Sequence, residues 1–251
     1  MNLFIRASAL LAVLAGCPND DNQLPIPTPS PTPATADPAG PTEKPESDDP
    51  PLKQHMQDHF SAIRAIERAV VSGDLATAKE RATWLAEHQQ HDAVDLWQPH
   101  LAALREAALA LAGSSDLPGA ASAAVKLGLE CAACHVTTTA ITSFPYEPEP
   151  SPGADNKSMM QRHQWAVDRM WEGLIGPSES SWNQGARVLA DAPFIPRTEL
   201  QPLQKKTVVE LAGTVHDLGK QAKNETEQES RGRIYGELLT TCSGCHELTR
   251  R

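Results

Sequence analysis

Aromatic residues make up only 4% of this 251-residue chain, although 40% of it is hydrophobic. Strands favour aromatic and β-branched side chains. An apolar complement this poor in rings and rich in alanine argues for close-packed helices, since alanine is the best helix former. Cysteine is scarce as well. Four of the five fall in two short motifs and the fifth, Cys17, stands apart, so none remains for a structural disulfide. There is no Gly-rich phosphate loop, no Ser–His–Asp arrangement and no repeated carboxylate pair. Long apolar runs are also missing. The run ALLAVLAG at residues 9–16 is too short for a spanning helix, and no later stretch is long and apolar enough.

Basic excess is absent too. The chain carries a net charge of −10, and residues 18–51 account for −6 of it, with seven acids and the single base Lys44. Residues 52–251 hold 20 bases and 25 acids, a net −5. This balance argues against a nucleic-acid partner.

The first sixteen residues read as an export signal, with Arg6 before the apolar run. The run ends LAGC, residues 14–17, which resembles a bacterial lipobox. That resemblance implies cleavage before Cys17 and lipidation of Cys17. The expected product is a protein on the periplasmic side, lipid-anchored to a bacterial membrane. Residues 17–51 then form a Pro-rich tether, since 11 of the chain's 21 prolines fall in 18–51 without apolar periodicity.

Beyond the tether the chain is duplicated. Met56 and His59 of MQDHF match Met160 and His163 of MQRHQ at an offset of 104. Ala82, Leu85 and Ala86 fall on Ala186, Leu189 and Ala190 at the same offset, and Gln98-Pro99 falls on Gln201-Pro202 at 103. CAACH at 131–135 returns as CSGCH at 242–246, an offset of 111. Such a period marks repeated units. Apolar positions 56, 60, 63, 66 and 70 recur at the helical period, and positions 160, 163, 167, 171 and 174, with His163 among them, carry the same period. Asp74 is placed to cap a second helix and Asn224 the last, while Pro99 and Pro202 open third helices. The expectation is all-α: two tandem four-helix bundles at 52–136 and 157–251, joined by a loop at 137–156.

Three readings compete for the C-x-x-C-H motifs. Covalent haem attachment uses both thiols on the porphyrin and the adjoining histidine on the iron. A zinc site would take three ligands from each motif and need a fourth. A thiol–disulfide pair has no use for the histidine that follows directly in both copies. Export also favours haem, because c-type attachment occurs outside the cytoplasm.

The motifs come last, after about 75 residues of expected helix in each unit. In this the chain resembles the class II c-type cytochromes, cytochrome c′ and its low-spin relatives, over residues 52–136 and 157–251. The resemblance implies two covalently bound haem c groups. Cys131 and Cys134 would hold one, with His135 as proximal ligand; Cys242, Cys245 and His246 would hold the other. In an antiparallel bundle the start of each unit's first helix faces the open side of the iron, where six-coordinate relatives use a methionine and where this chain repeats a histidine at one register. His59 and His163 are the preferred sixth ligands there, with Met56 and Met160 the alternatives. Filled sixth positions imply an electron carrier serving exported redox proteins. An open iron would imply gas binding of the cytochrome c′ kind or a peroxidase-like enzyme. His88 and His91 read as a solvated helix end, and His55, His100 and His216 as surface residues.

Overall fold

The computed structural model describes residues 50–88, 95–191 and 200–249. Cys17, the leader, nearly all of the tether and His91 lie outside the described residues. Among the described residues the chain is all-α, with no strand. The helices are α1 (Pro50–Val71), α2 (Leu75–Glu87), α3 (Gln98–Ala112), α4 (Leu117–Thr137), α5 (Asn156–Ile175), α6 (Glu179–Leu189), α7 (Pro202–Ala222) and α8 (Gln228–Thr249). A short 3₁₀ turn, Asp95–Trp97, leads into α3.

Local chemistry sets the helix ends. Gly73 takes φ 71°, a left-handed value that glycine adopts without strain, and closes the turn after α1. Asp74 then caps α2, accepting a hydrogen bond from the Thr77 amide at 3.1 Å. Ser178, 104 residues on, caps α6 through the Ser181 amide at 3.2 Å. Asp116 caps α4 and Asp155 caps α5 in the same way. Pro202 opens α7. Asn224 does not cap α8: it lies in the preceding turn, and the helix opens at Gln228, where the Glu227 carbonyl accepts from the Arg231 amide. The ends of α1 and α5 are 104 residues apart, as are the starts of α2 and α6, and the starts of α4 and α8 are 111 apart. The offsets of the sequence repeat are thus the offsets of the helices.

Within each half, consecutive helices pack on one another: α1 on α2, α2 on α3, α3 on α4, then α5 on α6, α6 on α7, α7 on α8. The halves also pack together, through α4 on α8, α1 on α8 and α4 on α5. One apolar core runs through both. Its small residues let the helices approach closely. Ala78, Ala82, Ala107, Ala108, Ala120, Ala121 and Ala124 are fully buried. At Gly128 of α4 the Trp171 ring of α5 takes the room a side chain would need, 2.8 Å from where a Cβ would sit.

The second half has even closer crossings. A Cβ on Gly185 would run into the Ala166 carbonyl, and one on Gly219 would lie 2.5 Å from the Ala190 amide nitrogen. Backbone atoms cannot swing aside as a side-chain tip can. Gly185→Ala is therefore expected to cost about 1–3 kcal/mol by overpacking. Gly213 of α7, with nothing within 4 Å of its would-be Cβ, gives the contrast. There alanine should add about 0.5–1 kcal/mol, the usual gain over glycine inside a helix. Thermal unfolding of the two variants, side by side, checks both signs.

Residues 138–155 link the halves and are tied down along their length. Phe144 packs on Phe60 with ring centroids 5.2 Å apart, and Thr142 Oγ1 donates to the Gly176 carbonyl at 3.1 Å. The Trp165 indole donates to the Glu147 carbonyl at 2.9 Å. Glu149 accepts from Arg162 and pairs with Arg187. The connector thus touches α1, α5 and α6.

Ion pairs cross between α1 and α5. Arg64 pairs with Asp168 and with Glu172, and Arg68 reaches Asp168 at 3.0 Å. Arg64 and Asp168 are the same position in the two copies, as are Arg68 and Glu172. Where one copy is basic, the other is acidic.

Candidate cofactor site

The second half brings its candidate residues together. Met160 and His163 lie in the first two turns of α5, and Cys242, Cys245 and His246 near the end of α8. All five line one narrow cleft that is partly open to solvent. The rest of the lining is mostly apolar: Val71, Val167, Leu189, Leu211, Ala212 and Val215, with Gln164. The start of one helix thus faces the end of the last, as antiparallel packing requires.

Burial and then the nearby Arg162 push the pKa of His163 down to about 4. Above that pH the ring is neutral and keeps a nitrogen lone pair. Burial pushes the Cys242 thiol up to about 12 and raises Cys245 as well. A reactive C-x-x-C pair has a lowered thiol pKa, so this apolar setting suits a neutral thioether better than a thiolate.

The first half shows a different arrangement. His135 Nδ1 lies 2.8 Å from the Ile175 carbonyl. A carbonyl can only accept, so Nδ1 carries the proton and Nε2 keeps its lone pair. This is the second-shell pattern of a metal-ligating histidine, its other ring nitrogen fixed by a carbonyl. The carbonyl comes from the other half of the chain. Burial pushes Cys131 up to about 12 and raises Cys134.

His59 is buried, but its Nε2 lies 2.7 Å from the His88 carbonyl and so carries the proton, leaving Nδ1 as the free acceptor. Its ring packs against His55 at 4.1 Å and edge-on to Trp84 at 6.3 Å. Met56 is 38% exposed. The two matched Met–His pairs therefore sit in different settings, one inside a cleft with its motif and the other against the end of α2. His88 is exposed, stacked on Trp84 at 4.0 Å. His55 and His216 are not simple surface residues: each has one ring nitrogen buried without a hydrogen-bond partner.

Sequence reasoning missed Val71 and Ile175, the last residues of α1 and α5. Val71 lines the same cleft as His246, and the Ile175 carbonyl holds His135. They are 104 residues apart, equivalent in the repeat, and each serves the other half's motif. The offset was a usable signal; the service of a backbone carbonyl was not.

The residues present fit haem better than a bare metal ion. Among the described residues no group of three His, Cys, Asp or Glu side chains is placed to hold a metal ion together, as tetrahedral zinc would need. The second cleft offers an apolar wall, two thiols on one helical turn and a histidine. Among the described residues no helix is long and apolar enough to cross a membrane. Comparison of the chain with protein-family models, with curated proteins and with solved structures finds no match.

Proposed function

We propose that the chain is a dihaem c-type cytochrome of the class II kind: two tandem four-helix bundles, lipid-anchored through Cys17, carrying single electrons between exported redox proteins. One observation carries the reading, the cleft that joins Cys242, Cys245 and His246 to Met160 and His163. In this reading Cys131 and Cys134 hold one haem and Cys242 and Cys245 the other, with His135 and His246 as proximal ligands. Bound there, haem supplies a one-electron iron couple. The protein's part is to exclude water with the aliphatic wall, to fix the His135 tautomer through Ile175, and to present a neutral His163. His163 is the preferred sixth ligand of the second site, because it stays uncharged and lies within the lining; Met160 is the alternative. Two histidine ligands would give a lower potential than Met/His.

A second reading has support at the first site alone. Met56 is exposed and His59 is tied through Nε2 to the His88 carbonyl, a different setting from that of Met160 and His163, and this reading takes the first sixth position to be open to a small molecule. That would make the first haem gas-binding or peroxidase-like, and the second a carrier.

Absorption spectra of the matured protein test both readings. The expected oxidised spectrum contains a low-spin haem that CO does not move after reduction. His163→Ala should turn that component high-spin and CO-reactive, while Met160→Ala leaves it in place. CO binding by half of the wild-type haem would assign an open iron to the first site. A protein matured in an exporting host without any haem spectrum overturns the proposal.

A further inference from the structure

Glu67 is fully buried in the junction between the halves. It lies on α1 four residues before Val71, one turn along the same face from the wall of the second cleft. Its equivalent in the second copy is Trp171, four residues before Ile175. Tyr235 of α8 joins these two positions. Its ring stacks on Trp171 at 5.2 Å, and its hydroxyl lies 3.3 Å from Glu67 Oε1 and 3.2 Å from the Val167 carbonyl. Glu67 Oε2 has no hydrogen-bond partner.

The charged and titratable groups facing Glu67 are few. Asp168 approaches from α5, Arg64 and Arg68 from its own helix, and Tyr235 and Cys242 from α8. Both arginines are already paired with Asp168, and Arg64 also with Glu172. The carboxyl therefore has no cation of its own. Burial first, and Asp168 second, push its pKa up to about 8. A carboxyl kept in an apolar core with one oxygen free is costly compared with an aliphatic residue. Its charge is felt by Cys242, on the helix that carries Tyr235.

We infer that Glu67 is a redox-linked proton acceptor, taking up one proton when the second site gains one electron. This rests on the haem reading above. The electron comes from the exported donor and the proton from solvent, adding to the Glu67 carboxylate. The net charge of the buried junction is then unchanged, and reoxidation releases both. The physical cause is that an added negative charge nearby, in a medium of low dielectric, favours the neutral carboxylic acid.

The test is a spectroelectrochemical titration of the haem-loaded full chain against pH. In a window opening near pH 8, the reduction equilibrium of one haem should fall tenfold per pH unit, about 59 mV for a one-electron couple. Glu67→Gln, nearly isosteric, should flatten that slope with the spectrum unchanged. Tyr235→Phe removes a hydrogen bond that stabilises the carboxylate, so the window should move to higher pH. Reduced-minus-oxidised infrared spectra should show a protonated carboxyl band that is missing in Glu67→Gln. Flat potentials in the wild type, or a slope that persists in Glu67→Gln, overturn this inference and leave the haem reading standing. If Glu67→Gln does not fold, Tyr235→Phe decides, and an unmoved window overturns it. A protein without haem overturns both.

Discussion

If the dihaem proposal holds, replacing Cys242 and Cys245 together by serine is expected to leave one haem per chain in place of two. Serine keeps the size and polarity of each side chain but cannot form a thioether. The cleft lined by both thiols then has nothing to hold its cofactor covalently. The first motif lies on α4, a different helix, and should load as before. The intact mass should fall by one haem relative to the wild type, and the haem absorbance per chain by half. His246→Ala separates attachment from ligation: mass stays at two haems while the spectrum of one changes. Equal haem content in wild type and Cys242→Ser/Cys245→Ser would remove the second site. Stoichiometric zinc in place of haem would restore the metal reading that the residue placement disfavours.

The next largest effect is on stability. Arg64→Met is expected to cost about 2–3 kcal/mol, at or below the low end of the range for removing one partner of a buried ion pair, because each acid keeps a second cation. Arg64 serves both Asp168 and Glu172, whose side chains are 6% and 3% exposed, and Glu172 also pairs with Arg169 of its own helix. Arg68 still reaches Asp168, but its own side chain is 54% exposed and a weaker counter-charge. For a chain of this size the loss lowers the melting temperature by on the order of 10 °C. Adding Asp168→Asn to Arg64→Met should recover part of it, because a buried charge left alone costs more than a pair removed. The recovered part is the coupling energy of a double-mutant cycle. Additive losses would show that the two side chains do not interact across the junction.

The helices were legible because their determinants are local. The 3.6-residue spacing of apolar positions, the Asp74 cap and the prolines at 99 and 202 need no knowledge of the rest of the chain. Asn224 misled because a good capping residue was read without knowing where the turn would close; the turn from α7 to α8 runs on to Glu227. That Met160 and His163 would share a cleft with the second motif was legible from the repeat, since antiparallel helices place the start of one beside the end of another. The first half was less so. His59 occupies the same register as His163, yet its nitrogen goes to the His88 carbonyl, a backbone atom that no residue identity reveals. The junction between the halves was hidden for another reason. Aligning two copies rewards positions that stayed alike, whereas Arg64 with Asp168 and Arg68 with Glu172 meet because they became opposite.

The hydrogen bond from His135 to Ile175 has a consequence for the order in which the protein is made. Chains emerge N-terminus first, at about 5–20 residues per second. The carbonyl that fixes His135 lies 40 residues downstream of it, so the first motif waits on the order of seconds for its support. For the second motif the order is reversed: Val71, part of the wall of its cleft, is made long before it. Any partly folded state that lacks α5 therefore leaves His135 without this acceptor, whereas the wall that Val71 gives the second motif comes from a helix on its N-terminal side.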